Sequence, residues 1–238
     1  MYTYEAVVGY SRTDRTGKVP IYEILNYMQD CSTFQSEAVG AGLNYYKETR
    51  KAWFLLAYEI ELLQPIRLGQ KIVVGTAPTG FKGLYGTRQF FIKDDKDNFL
   101  AKANTMWTLM DLEVRCPVRI TEDDIKYYEP QKLFEMEPAQ RKIRLSQEKE
   151  QKDTFTVLKT YIDSNGHMNN ADYMRVAAEL IPEELSWNHL QINYRKEVMV
   201  GEKMISFLHQ EENGIGISFE NEAGEVLTAI KVYQEEHR

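Results

Sequence analysis

The stretch Asp163-Ser164-Asn165-Gly166-His167-Met168-Asn169-Asn170 sets a carboxylate, several amides and an imidazole close together. Directly after it, Tyr173, Val176, Ala177 and Leu180 fall at the i, i+3, i+4, i+7 spacing of a short amphipathic helix, which Pro182 ends. Asn169 or Asn170 is a natural N-cap, because an amide oxygen accepts the first free N–H groups of a helix. The stretch is therefore expected to deliver Asp163, Asn165 and His167 to a helix N-terminus and, if extended, to project all three to one side. Asp, Asn and Gly also build ordinary tight turns, and a lone histidine is often structural. Density favours a functional site here, since polar side chains stand just before helix N–H groups able to orient a thioester or carboxylate.

Working outward, the same order of elements is legible twice. Residues 2–10 alternate like a strand, Asp14-Arg15-Thr16-Gly17-Lys18 makes a turn, and Pro20 suits the first turn of a helix. That helix carries a stripe of Ile21, Ile24, Leu25, Met28, Cys31, Ser32, Ala38 and Val39, broken only by Gln35, and stops at Gly40 and Gly42. Four strand-like runs follow, Phe54 to Leu63, Gln70 to Pro78, Leu84 to Lys93 and Phe99 to Met110. In the second half Thr154 to Tyr161 reads as a strand, followed by the Asp163 turn, its helix, and runs at 190–195, 203–210, 214–220 and 226–233. The two turns align as Asp14-x-Thr16-Gly17-Lys18 with Asp163-x-Asn165-Gly166-His167, and Pro65 to Lys71 aligns with Glu197 to Lys203. An internal duplication of an α+β unit is the economical explanation. Thr16, Lys18 and Pro65 in the first copy face Asn165, His167 and Glu197 in the second, so the dense polar set occurs once.

Between the copies, residues 129–152 are charged and lack a sustained apolar stripe. They read as a linker between domains 1–128 and 153–238. Its basic residues are expected to be solvated. A net charge of −7 argues against general nucleic-acid or anionic-membrane binding. The two cysteines, Cys31 and Cys116, make no disulfide framework, and no metal-ligand spacing appears. No leader pattern or membrane span is evident, so a complete cytoplasmic protein is expected.

At this level of detail the chain resembles the fatty acyl–acyl carrier protein (acyl-ACP) thioesterases of plants and bacteria, over nearly its whole length. The first half matches at Asp14-Arg15-Thr16, Asn26-Tyr27-Met28-Gln29-Asp30 and Asn104 to Met110. The more specific match is Asp163-x-Asn165-Gly166-His167-Met168-Asn169-Asn170-x-x-Tyr173 together with Asn193-Tyr194-Arg195-Lys196-Glu197. The resemblance implies a tandem (double) hotdog, each half an antiparallel sheet wrapped around a long helix. It implies catalytic residues at Asp163, Asn165, His167 and Glu197, with neither cofactor nor metal. Some plant members carry cysteine directly after the glutamate; here that position is Val198, which disfavours a thiol nucleophile.

Hydrolysis would then run as follows. Helix N–H groups and the Asn165 amide hold the oxyanion, and Glu197 activates water. His167 positions that water or protonates the sulfur, while Asp163 fixes the imidazole. Attack by the carboxylate of Asp163 or Glu197 is the alternative. The acyl chain is expected in the first half, among Ile24, Met28, Phe34, Phe54, Leu56, Tyr58 and Trp107. The phosphopantetheine-bearing carrier protein is expected to dock on Arg50, Lys51, Lys82, Arg88 and Arg195. Competing readings are a coenzyme A thioesterase on the same fold and a non-catalytic acyl-binding protein. Either a monomer or a homodimer is compatible with the tandem arrangement.

Overall fold

The computed structural model describes residues 1–235. Two compact units emerge from its packing. One comprises Met1–Leu56 with Ile60–Ala139, the other Ala57–Glu59 with the chain from Gln140 onward. The first unit contains β1 (Tyr2–Val7), α1 (Ile21–Ala38), α2 (Leu43–Thr49), most of β2 (Lys51–Leu62), β3 (Lys71–Lys82), β4 (Tyr85–Asp94), β5 (Phe99–Asp111), the two-residue β6 (Cys116–Pro117) and α3 (Glu122–Ile125). The second contains β7 (Lys149–Thr156), α4 (Asn170–Ala178), β8 (His189–Tyr194), β9 (Lys203–Glu211), β10 (Gly214–Glu220) and β11 (Val226–Tyr233).

Strand order proves the duplication. The first sheet runs β1-β3-β4-β5-β2 and the second β7-β9-β10-β11-β8. In each, the first strand of the unit lies at one edge, the second at the other, and a three-stranded antiparallel meander fills the middle. The helix leaves after the first strand in both copies.

In the first unit the α1 stripe lies on the face of the sheet carrying Val74, Phe90, Ile92 and Ala103, all fully buried. Cys31 is fully buried in that layer with its Sγ 3.5 Å from the Val74 carbonyl oxygen. Gly40, at φ 76°, supplies the left-handed residue that ends the helix. In the second unit α4 is only nine residues long and buries Ala171, Tyr173, Met174, Val176 and Ala177, with Tyr173 against Phe219 of β10. Its stripe and shortness are visible in the sequence, but the long helix that the resemblance implies for each half is present only in the first, where α1 has 18 residues.

The segment expected to be a solvated linker is fastened along much of its length. Buried Gln89 donates to the Phe134 carbonyl (2.9 Å) and accepts from Leu133 N–H (2.7 Å), and Asn104 donates to Met136 and Glu137 in the first unit. In the second unit Asn193, 1% exposed, accepts from Ile143 N–H and donates to the Gln140 carbonyl, and His209 bonds the Ser146 carbonyl. These amides lie on the sheet face opposite each helix, and they satisfy backbone groups of a chain that has no strand partner there. Regular structure resumes at Lys149, inside the stretch read as linker.

Candidate active site

The Asp163 stretch folds as a tight turn, so the expected extended presentation of three side chains is not what occurs. The Asp163 N–H donates to the His167 carbonyl (2.8 Å) and the Gly166 N–H to the Asp163 carbonyl (3.1 Å). Gly166 has φ 84°, which an L side chain adopts only with strain. The Asp163 carboxylate folds back onto its own loop. It accepts from Asn165 N–H at 2.8 Å, from the Asn165 amide at 3.4 Å and from His167 N–H at 3.5 Å. Asn165 is left exposed at the tip and His167 is buried.

The first unit repeats this turn without its chemistry. Asp14 N–H bonds the Lys18 carbonyl at 2.8 Å, Gly17 N–H bonds the Asp14 carbonyl at 3.0 Å, and Gly17 has φ 73°. The Asp14 carboxylate accepts from Thr16 N–H, the Thr16 hydroxyl and Lys18 N–H. Burial alone would raise its carboxyl, but these hydrogen bonds win and hold it below the ordinary value. The next residue docks identically in both copies, Val19 N–H on the Ile66 carbonyl and Met168 N–H on the Val198 carbonyl, each at 2.9 Å. That contact places the residue before Ile66, Pro65, where the second copy has Glu197.

The consequence is specific. His167 Nε2 lies 3.1 Å from the Glu197 carboxylate, with side-chain exposures of 9% and 31%. The imidazole partner is thus Glu197. Asp163, assigned to that task from the sequence, spends its carboxylate on loop N–H groups and makes no hydrogen bond to the ring. The reason is geometric: a turn of this length directs the Asp side chain inward over its own backbone, as Asp14 shows in a copy with no histidine.

Helix α4 starts at the end of this turn. Asn169 is the N-cap and accepts from Ala171 N–H at 2.9 Å. The Tyr194 hydroxyl donates to the Asn170 carbonyl at 2.8 Å, bracing the helix start from β8. Tyr173, 3% exposed, lies near Glu197: burial first, and then that carboxylate's charge, push its phenol above the ordinary range. Both tyrosines fall within the matching motifs, whose pattern alone assigns them no task. Val198, at the position of the plant cysteine, is fully buried.

The other expected positions divide. Met28 and Ile24 are buried in the α1 stripe, and Phe54, Leu56 and Trp107 are half-buried. Phe34 is 44% exposed on the flank of α1, edge-on to Tyr4, so it lines no interior. Tyr58 is buried but belongs to the short run of β2 that groups with the second unit. Among the docking cations, Arg50 and Lys82 are exposed, and Arg195 is exposed while donating to the Ile143 carbonyl. Lys51 is bonded at 2.9 Å to Asp124, which neutralises it. Arg88 is buried in the first unit's core and unavailable to any protein partner. Alternation places it on the helix-facing side of β4, where it is the partner that explains Gln35 in an otherwise apolar stripe.

Solved structures of known proteins share this fold. An acyl-ACP thioesterase from Bacteroides thetaiotaomicron shares the fold at TM-score 0.88 and 24% identity, covering 98% of this chain and 97% of its own. The 12:0-ACP thioesterase from Umbellularia californica does so at TM-score 0.82 and 14% identity, covering 98% and 96%. Both show the double hotdog architecture. No curated protein matches the chain. The family model for the acyl-ACP thioesterase N-terminal domain matches residues 1–128, and that for the C-terminal domain matches residues 144–235. With both domains matched in order on a duplicated hotdog scaffold, the chain belongs to the acyl-ACP thioesterase family.

Proposed function

We propose that the protein hydrolyses fatty acyl thioesters of acyl carrier protein, releasing free fatty acid and the carrier's pantetheine thiol, and that His167 and Glu197 carry the reaction. The supporting observation is their 3.1 Å contact on a scaffold whose other copy lacks both residues. Glu197 is the half-open member of the pair, so solvent reaches its carboxylate while the imidazole stays enclosed. The His167 ring orients the carboxylate, and the carboxylate takes a proton from a water as its oxygen attacks the acyl carbonyl. The new C–O bond forms, the C–S bond breaks, and the proton passes to the departing thiolate. The Asn165 amide and N–H groups at the start of α4 are the candidates to hold the oxyanion, and one such donor contributes roughly 3–4 kcal/mol. Asp163 is a positioning residue that sets the loop.

Residues 1–128 and 153–238 are proposed as the acyl-binding and catalytic domains, with the fastened 129–152 segment joining them. The exposed Lys82 and Arg195 are the docking candidates that retain accessible charge, together with Arg50, whose exposed guanidinium stands 3.8 Å from Glu113. A cytoplasmic setting suits two free thiols, Cys31 and Cys116, and no helix of the described residues is long and apolar enough to cross a membrane. The test is free-thiol release from matched acyl-ACP and acyl–coenzyme A panels. Turnover on carrier thioesters, lost in His167→Ala, supports the proposal. Turnover confined to coenzyme A thioesters, or acyl binding without turnover, overturns it.

A further inference from the structure

The duplication shows which side chains are peculiar to the unit that carries the catalytic pair. Leu63 and Gln64 N–H both donate to the Leu100 carbonyl, and Arg195 and Lys196 N–H both donate to that of Leu227, so the two copies correspond residue for residue here. Tyr194 therefore occupies the place of Leu62. Asn170, the first residue of α4, occupies that of Ile21, the first residue of α1. Cross-strand register extends the match, with Phe219 beside Thr228 where the first copy has Ile92 beside Ala101. Tyr173 falls where α1 has Ile24. Four apolar positions of the first copy are thus two phenols, a phenyl ring and a hydroxyl in the second.

One of these changes creates a bond that the first copy cannot make. The Tyr194 hydroxyl donates to the Asn170 carbonyl at 2.8 Å, whereas Leu62 carries no donor. The Tyr194 ring stands edge-on to Tyr173 at 5.6 Å, and Tyr173 packs in turn on Phe219 at 6.4 Å, so the phenol is held in one direction. Burial pushes that phenol well above its ordinary range, so it keeps its proton and donates throughout neutral pH. The Asn170 carbonyl opens a helix and already points at the N–H four residues on, so it does not need the bond to be satisfied. The first copy instead has an extra backbone bond, Leu68 N–H to the Gly17 carbonyl at 3.0 Å, with no counterpart between Val200 and Gly166 among the described residues.

We propose that Tyr194 is a positioning residue for the thioester reaction: by tying the start of α4 to the strand that leads into Glu197, it holds His167 and Glu197 in register. The proposal deepens the thioesterase reading and rests on its assignment of that pair to hydrolysis. Two segments meet at the pair, the turn that ends at His167 and the chain from Tyr194 to Val198. The Met168–Val198 bond joins them at one point, about which they can pivot. The Tyr194–Asn170 bond is a second point, two residues on from Met168 and four back from Val198, and two points fix the angle. The 3.1 Å imidazole–carboxylate contact lies beside the first point, where a small rotation opens it.

The test is Tyr194→Phe, which removes the oxygen and keeps the ring. Its control is Tyr4→Phe, which removes a strand tyrosine's bond of 3.1 Å to the Tyr27 carbonyl of α1, in the copy without the pair. On acyl thioesters of the carrier protein, Tyr194→Phe should lower kcat about tenfold, with KM and the shape of the pH profile unchanged. Tyr4→Phe should lower Tm by a similar amount and leave kcat at the wild-type value. The nitrogen-15 resonances of the His167 imidazole, read without substrate, should move in Tyr194→Phe and stay in place in Tyr4→Phe. Unchanged kcat in Tyr194→Phe, or equal losses in both variants, would reduce the bond to a structural one and overturn the proposal. Loss of one limb of the pH profile would also overturn it, by making the phenol an acid or base in the reaction. If the wild type turned over no carrier thioester, the hydrolase reading would fall, while an imidazole shift confined to Tyr194→Phe would leave the tie between the two segments standing.

Discussion

Replacing the paired aspartates Asp14 and Asp163 by alanine separates scaffold from chemistry, because the two copies share one turn. Asp14→Ala removes three short acceptor contacts, at 2.7, 2.7 and 3.1 Å. Asp163→Ala removes one short contact of 2.8 Å and two marginal ones of 3.4 and 3.5 Å. At about 1 kcal/mol net for each good bond in an exposed turn, Asp14→Ala costs about 2–3 kcal/mol and Asp163→Ala about 1 kcal/mol. At roughly 2–4 °C per kcal/mol for a chain of this size, Tm falls more for Asp14→Ala. Activity should order the other way. Asp163→Ala loosens the loop that presents His167 and lowers kcat/KM by about 10- to 100-fold. Glu197→Gln removes the base itself and lowers it by about 100- to 10,000-fold, with stability within about 0.5 kcal/mol of wild type. Thermal unfolding and acyl-ACP kinetics on the three variants measure all of this. If Asp163→Ala matched Glu197→Gln in lost activity while leaving Tm untouched, the carboxylate of Asp163 would be acting on the imidazole or the substrate, and the scaffold assignment would be refuted.

Other expectations follow from the same contacts. Burial pushes the Cys31 thiol up to about 12, so in the native protein a thiol reagent at neutral pH should label the exposed Cys116 quickly and Cys31 only on unfolding; two fast thiols would contradict the packing of α1. Burial alone would raise the Asp124 carboxyl, but bonds from Thr121 and Lys51 overcome it and hold it below its ordinary 3.8. Its ionised form therefore stabilises the fold above that value and ceases to as acid protonates it. Denaturant unfolding should show the wild-type advantage over Asp124→Asn shrinking as pH falls below 3.8, and an advantage independent of pH would sink the assignment. A Cβ on Gly216 would sit 2.8 Å from Leu145 Cδ2, the movable end of a half-buried side chain, and 3.1 Å from His209 Cβ, so Gly216→Ala should cost only about 1 kcal/mol. Adding Leu145→Ala should recover part of that loss, and no recovery would mean the segment does not lie on β10 as described.

Much of this was legible in the chain. Period-two runs located the long strands of both sheets, and the matching turns at Asp14 and Asp163 exposed the duplication. Alignment of Pro65 with Glu197 then singled out the carboxylate that stands 3.1 Å from His167. Its contact with His167 was not legible, because it depends on Met168 docking at Val198, a pairing between segments some thirty residues apart. Side-chain direction within a turn was equally hidden, and so Asp163 was given the imidazole. Arg88 looked like surface charge, since one residue in an alternating strand reveals no preference for water or core until Gln35 is found opposite it. The linker looked solvated because its own residues are charged, whereas the groups that fasten it, Gln89, Asn104 and Asn193, belong to distant strands.

Single turnover of an acyl-ACP substrate in oxygen-18 water, with enzyme in excess, tests the Glu197–His167 mechanism most directly. Water attack on the carbonyl predicts one labelled oxygen in the released fatty acid and none in the peptides carrying Asp163 and Glu197. Label in either carboxylate, with unlabelled fatty acid, would show that the enzyme carboxylate attacked first and would contradict the account.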